Sequence, residues 1–415
     1  MVRDMNQESS DAAPKQAHIS ARLPEVPSDY LSMAFALSAP EHQGRIRSQL
    51  EDFQVVEDLG FEPSGDGHHL FIRVRKRGAN TQWIAQRIAH AAGVQVSRVG
   101  YAGMKDRFAV TEQTFSLHLP GKPDPDLSSI EDEEFEVLEM KRNRRMVKRG
   151  GLRGNAFRIV VRDLKRSGET GGPDDETGGD VADDSNIAAE PVDRAGIEQR
   201  LERVAADGVP NYFGPQRFGH SGNNLAMAVG LFKGAHRERN RHKRGLYLSA
   251  ARSYLFNQVL SQRVKDGTWN VALDGDTMSL DGSRSFFRTE TIDDEIRRRL
   301  SEMDIHPSGP LWGQGKRVVA GEALALEERL LEPYTLWREG LEHWKMHAKR
   351  RSLRLPVREF TWSWEDDGAL ALSFALPAGT YATTVLREII ELEEPRAVSV
   401  IGEGAAASED EDSED

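Results

Sequence analysis

The residues best equipped for chemistry lie within 101–113, where Gly103, Lys105 and Asp106 stand between two apolar-alternating runs, 94–99 and 114–119. Both runs read as strands. The residues between them then read as a turn opened by Gly103, and side chains on such a turn can point into a cleft. Asp106 is ionised at neutral pH, given a reference pKa of about 3.9. A carboxylate placed there can be a nucleophile, a base or a metal ligand. It can equally be a turn residue that hydrogen-bonds its own backbone.

The elements that would position it follow from periodicity. Phe53, Val55 and Val56 mark a strand. After a turn at 63–67, residues 69–75 form another, with Leu70, Ile72 and Val74 on one face and Phe71, Arg73 and Arg75 on the other. Together they read as a hairpin with a basic outer face. Asn80 or Thr81 caps a helix that Gly93 ends. Lys141, Arg142, Arg144, Arg145, Lys148, Arg149 and Arg153 follow within thirteen residues, either as phosphate contacts or as a solvated hairpin. Residues 154–161 read as a buried strand and 194–206 as a helix.

Residues 208–219 mix Tyr212, Phe213, Phe218 and Arg217 with glycines and an amide, which suits stacking on bases or a tight aromatic core. A second basic run, from Lys233 to Arg244, includes Arg241 and Lys243. It precedes an amphipathic helix over 248–260, with Ala251, Leu255 and Val259 on one side and Arg252 on the other. Helices are expected over 321–331 and 336–349. Strands are expected over 355–361 and 370–376, the latter passing through Gly379 into a Thr-capped helix.

Composition narrows the class. The 415 residues contain no cysteine, which excludes disulfides, Cys-based zinc sites and a thiol nucleophile. Residues 1–21 lack the apolar core of a signal peptide, and 30–40 is too short an apolar run to span a bilayer. A cytoplasmic protein is expected. Residues 168–193 hold nine acidic side chains and 403–415 hold seven, with no basic ones. Those sixteen negative charges outweigh the net charge of −12 and leave the rest of the chain at +4, mildly basic. Both tracts, and residues 1–27, read as disordered. Residues 309–316 are not a phosphate loop, because Arg317 stands where Ser or Thr should bind magnesium. His343 and His347 are four apart but have no third ligand, so no metal site is expected.

Five separated motifs taken together resemble the TruD family of tRNA pseudouridine synthases. They are residues 102–107 with 111–113, 154–157, 211–214 with 216–219, 248–252 and 376–379, and the resemblance runs from about 44 to 394. It implies an α+β fold: a pseudouridine synthase catalytic domain with a central, mostly antiparallel sheet, plus an inserted α/β domain. On this sequence the catalytic domain would span 28–210 and 355–402, interrupted by the acidic 168–193. The insertion would span 211–354, and 403–415 would be a tail.

The resemblance further implies isomerisation of uridine 13 in tRNA, with no cofactor and no metal; a monomer is expected. Asp106 would be the nucleophile, with attack on sugar or base, or assistance to uracil departure, all open. A carboxylate suits this because it forms and later releases a covalent adduct. Phe53, Phe157 and Tyr381 match the aromatic pocket positions, and Asn155 matches the amide that reads the uracil edge. The target base must leave its stack, and aromatic stacking returns about 1–3 kcal/mol. Lys105 belongs to the same turn. Lys141, Arg144, Arg145, Lys148, Arg149, Arg217, Arg241, Lys243 and Arg252 are the expected RNA contacts.

Two departures stand out. Arg47 occupies the position usually held by a lysine that pairs with the nucleophile, and it could pair in bidentate fashion. Tyr381 replaces the commoner Phe and brings a hydroxyl that needs a partner. An RNA-binding module without catalysis is the alternative reading, since the basic runs would serve both. A metal-dependent nuclease would need a ligand cluster around one cleft, and only scattered candidates occur.

Overall fold

A computed structural model describes residues 27–167, 191–283 and 285–393. Most of the three segments expected to be disordered, 1–27, 168–193 and 403–415, lies outside these residues. The first half of the chain builds β1 (His42–Ile46), β2 (Phe53–Asp58), β3 (His69–Arg77), α1 (Thr81–Ala91), β4 (Val99–Tyr101), β5 (Val110–His118), β6 (Phe135–Asn143) and β7 (Gly154–Arg166). Then come α2 (Arg194–Asp207), β8 (Val209–Pro210), α3 (Asn223–Phe232), α4 (Arg241–Lys265), β9 (Thr277–Leu280), β10 (Phe286–Arg288), α5 (Asp294–Ser301) and β11 (Ile305–Leu311). The chain closes with α6 (Gly321–Leu331), α7 (Thr335–His343), β12 (Lys349–Ser352), β13 (Arg354–Leu355), β14 (Arg358–Trp364), β15 (Leu370–Pro377), α8 (Ala382–Leu386) and β16 (Glu391–Leu392).

One large sheet runs in the order β14-β15-β7-β2-β5-β3-β6, with β1, β16 and β4 paired off that path. It is mostly antiparallel; only β2 with β5 and β1 with β16 run parallel. The expected hairpin of β2 and β3 does not form. Strand β5 lies between them, in register Val55↔Thr111 on one side and Ile72↔Phe115 on the other. Alternation correctly gave each strand its apolar face, but it carries no information about which strand lies alongside. Nor is the outer face simply basic, because Arg73 and Arg75 both pair with Glu112.

The apolar faces explain the layers. Leu70, Ile72 and Val74 of β3 pack with Phe115 and Leu117 under Ile84 and Ile88 of α1. Ile159 and Val161 of β7 pack with Ile197, Leu201 and Val204 of α2 and with Val385 of α8. Each such buried aliphatic side chain contributes about 1.5–3 kcal/mol of transfer free energy. Asn80 caps α1 by accepting from the Gln82 amide.

A second sheet, β10-β9-β11-β12, is built wholly from residues 277–352. Its neighbouring core centres on α4, whose Tyr254, Leu255, Phe256 and Leu260 meet Leu225 of α3 and Trp337 and Leu341 of α7. The two chain crossings between this part and the large sheet lie side by side, because β8 pairs antiparallel with β13. Gly208 makes the crossing possible. Its φ is +72°, and a β-carbon there would stand 2.6 Å from the Leu355 carbonyl oxygen.

Other local readings change. Residues 94–99 were expected as a strand, yet 96–98 form a 3-10 turn and pairing starts at Val99. The helix expected at 248–260 runs 25 residues and takes in Arg241 and Lys243. The helix expected at 336–349 ends at His343, after which Lys349–Ser352 pair with β11. Helix α8 starts at Ala382 with Tyr381 at the cap position and no side-chain cap, while Thr380 donates to the Pro377 carbonyl. Gly103 does not adopt a left-handed φ, and a β-carbon there would meet nothing within 4 Å. The turn is held instead by Gln113, whose amide donates to the Gly103 carbonyl at 2.6 Å.

Candidate active site

Asp106 lies on the loop between β4 and β5 with its side chain 56% exposed. It accepts one hydrogen bond from Arg47 Nη2 at 2.5 Å. The pairing is through a single nitrogen, not the bidentate fork that arginine permits. Arg47 holds that position from a left-handed backbone, φ +62°, a conformation that costs a non-glycine residue about 1 kcal/mol and is retained only where surroundings enforce it. Its guanidinium also lies 4.2 Å from the Phe53 ring centre. Phe53 is thus 4% exposed and covered by the cation, so its face is not open in the free protein. Phe157, half-buried, sits edge-on to Phe53 at 6.3 Å and stacks on Phe374 at 5.5 Å.

Lys105 turns inward from the same loop. Its ammonium is 3.0 Å from Glu57 Oε1 and donates to Asn155 Oδ1 at 2.6 Å. Glu57 and Asn155 stand directly opposite each other across β2 and β7. The sequence reading left Glu57 out, although the signal was there. Phe53, Val55 and Glu57 alternate onto one face, and a carboxylate at the third inward position of an apolar face needs a cation.

Lys76 was missed in the same way, as the continuation of Leu70, Ile72 and Val74. It is fully buried and donates to the carbonyls of Ala79 at 2.9 Å and of Asp106 at 2.8 Å. Burial pushes its pKa from 10.5 down to about 8, against the pull of the Asp106 carboxylate and with help from the Lys105 charge. Between about pH 8 and 10.5 the folded chain therefore binds fewer protons than the unfolded chain, so this group's contribution to stability rises with pH across that window. Lys76→Met removes the dependence. Denaturant titrations should show wild type gaining about 2 kcal/mol relative to that variant between about pH 7.5 and 10.

Tyr381 belongs to a neighbouring cluster. Its hydroxyl accepts from Arg217 Nε at 3.0 Å, which supplies the partner that the extra oxygen requires, and Arg217 also donates to Ser249. Arg351 stacks on Phe213 at 4.1 Å and donates to Asn211 Oδ1 and the Gly379 carbonyl. Burial pushes the Arg351 pKa down to about 10. Arg252 donates to the His347 carbonyl, and burial followed by the nearby Arg217 charge lowers its pKa. The strand that leads to Tyr381 lies alongside the one that carries Asn155, with Leu376 paired to Asn155 and Pro377 to Gly154. Tyr212, Phe213 and Phe218 are buried at 0–6% exposure, so the aromatic stretch at 208–219 is core and not a stacking platform.

Comparison with known proteins decides the family. The family model for tRNA pseudouridine synthase D (TruD) matches residues 32–231 and 222–389. The chain belongs to the TruD family of tRNA pseudouridine synthases. A tRNA pseudouridine synthase D of Methylococcus capsulatus is 49% identical over 351 residues, 85% of this chain and 92% of that protein. That of Hydrogenovibrio crunogenus is 40% identical over 359 residues, 86% and 96% of the two chains. A crystal structure from Methanosarcina mazei, described as a candidate tRNA pseudouridine synthase D, superposes with a TM-score of 0.64. It covers 88% of this chain and 98% of that one, and at 21% identity it speaks for the fold alone. Pseudouridine synthases of this kind are isomerases acting in tRNA modification.

For a TruD-family enzyme the cations must be divided into those already paired and those available. Arg142 pairs with Asp124, Arg144 with Asp66, Arg153 with Asp58, and Lys141 lies 3.8 Å from Glu62. Arg145, Lys148 and Arg149 are exposed and have no ion pair among the described residues. The same holds for Arg241 and Lys243, in the first turn of α4. Cations there oppose the helix dipole, at a few tenths of a kcal/mol each, which an external phosphate would reverse. No group of three or more His, Cys, Asp or Glu side chains with metal-binding geometry occurs among the described residues, and no described helix is long and apolar enough to cross a membrane.

Proposed function

We propose that this enzyme isomerises uridine 13 of tRNA to pseudouridine, with Asp106 as the nucleophile acting on a base turned out of its stack. The observation that carries the reading is the exposed Asp106 carboxylate, held by an Arg47 that lies over Phe53, on the loop whose Lys105 reaches the Asn155 amide. The reaction breaks N1–C1′, turns the uracil and forms C5–C1′, with no net change in composition. Asp106 would form and release a covalent adduct or assist uracil departure, and Arg47 would hold its carboxylate in place. Asn155 and Phe157 would hold the detached ring, with Phe53 and Tyr381 completing the pocket as the RNA enters. Exclusion of water prevents the intermediate from being hydrolysed.

Residues 211–354 are taken as a unit inserted into the catalytic domain, supported by their separate sheet and core and by the adjacent crossings at β8 and β13. Arg145, Lys148, Arg149, Arg241 and Lys243 are taken as phosphate contacts, with Arg217 and Arg252 nearer the pocket. Replacing each free cation by alanine should lower the slope of log K against log salt by about 0.7–0.9. Replacing Arg142 or Arg144 should leave it nearly unchanged. Equal effects from both sets would remove the assignment.

The deciding experiment is mapping of pseudouridine in unmodified tRNA transcripts incubated with the purified protein. One new pseudouridine, at position 13, is expected. A product at another position would refute the site, and tight binding without product would favour the RNA-binding reading.

A further inference from the structure

We propose that the buried Glu57–Lys105 ion pair fixes the Asn155 amide so that it offers only N–H donors to the target base, and thereby selects uracil over cytosine. The inference rests on the reading of Asn155 as a base contact, and it assigns Glu57 and Lys105 as positioning residues. An ammonium is donor-only, so the Asn155 atom that Lys105 meets at 2.6 Å is the oxygen. The amide nitrogen then points away from Lys105. No described protein group accepts from it, and the residue is only half-buried.

The device is rigid for three reasons. Lys105 and Glu57 have side-chain exposures of 9% and 1%, so neither can swing into solvent cheaply. Glu57 Oε2 also accepts from the Thr114 backbone amide at 3.0 Å, which ties the carboxylate to β5. The Lys105 backbone amide donates to Thr81 Oγ1 at 3.1 Å, which ties the loop to α1. An Asn amide free to rotate could present either its oxygen or its nitrogen. Here, rotation would put the NH₂ group against an ammonium and strip that buried charge of its shorter contact, leaving Glu57 as its one acceptor, a costly state.

Uracil and cytosine differ at the edge such a donor reads. Uracil carries an acceptor oxygen at C4, where cytosine carries an amino donor. A fixed N–H donor donates to the first and is left facing another donor by the second. Discrimination by buried polar groups left unpaired is the stronger kind of specificity.

The test uses the full-length protein and two tRNA transcripts differing only in uridine or cytidine at the target position, both left unpaired there. Equilibrium binding is measured, so the result does not depend on turnover. Wild type should bind the uridine transcript at least about tenfold more tightly. Asn155→Asp, which turns the outward donor into an acceptor, should abolish or invert that ratio. The double variant Glu57→Gln/Lys105→Met removes both buried charges together and so should fold. It should bind both transcripts with nearly equal affinity and raise KM for the uridine transcript more than it lowers kcat. A folded double variant that keeps the wild-type ratio overturns the positioning role. Should that variant fail to fold, an unchanged ratio in Asn155→Asp overturns the proposal by itself. Equal affinity in wild type would also overturn it, whereas absence of pseudouridine with the ratio intact would count against the catalytic reading only.

Discussion

Asp106→Asn should fold, bind unmodified tRNA with wild-type affinity and form no detectable pseudouridine. The side chain is more than half exposed and the change is isosteric, so stability should move by no more than about 0.5 kcal/mol. Arg47 still finds an acceptor in the asparagine oxygen, which preserves the loop geometry around Phe53. What disappears is the charge and, with it, the proposed nucleophile. Removal of a nucleophile costs on the order of 10⁴-fold or more in turnover, with the residual rate supplied by binding and positioning. Single-turnover assays with enzyme in excess would measure this. Turnover within tenfold of wild type would end the assignment of Asp106, and loss of binding would show that the carboxylate serves the fold.

The largest stability effect is expected far from that loop. Asp276→Ala should destabilise the protein by about 3–5 kcal/mol, because it strands a buried guanidinium. Arg263 and Asp276 have side-chain exposures of 3% and 0% and meet at 2.9 Å. Asp276 also accepts from the Leu273 amide at 2.8 Å, while Arg263 donates to the carbonyls of Thr268 and Val271. The pair therefore closes the end of α4 onto the turn before β9. Urea denaturation would read the loss. Glu295→Ala on α5, which breaks an exposed pair with Arg298, should shift stability far less in the same assay. Equal effects from the two substitutions would refute the view that burial sets the difference.

How much of this was legible in the sequence varies by the kind of interaction. Local patterns were readable: the inward faces of β3 and α1, the Asn80 cap and the turn that carries Asp106. Pairing was not, since alternation at 53–58 and 69–75 is equally consistent with a hairpin and with a strand lying between. Arg47 and Asp106 are 59 positions apart, and only the motif resemblance linked them. Glu57 and Lys76 were visible as charges on apolar faces, but a single sequence does not say which loop will deliver the partner. The aromatics at 212, 213 and 218 show the converse. Their types suit a base or a core equally, and burial under α3 and α4 settled which. The paired state of Arg142, Arg144 and Arg153 also depends on acids brought from elsewhere in the fold, so a basic run on paper overstated the charge available.

The place of β15 in the sheet sets a timetable for synthesis. Strand β7 is completed at Arg166, but the neighbour that covers its other edge, from Gly154 to Val161, begins only at Leu370. At about 5–20 residues per second, the roughly 200 intervening residues take about 10–40 s to emerge. Throughout that interval the nascent β7 presents unpaired backbone groups, the kind of edge on which chains aggregate. The stretch that leaves the ribosome next, 168–193, carries nine acidic side chains. Like-charged copies on neighbouring ribosomes would repel one another just where edge-to-edge contact is most dangerous.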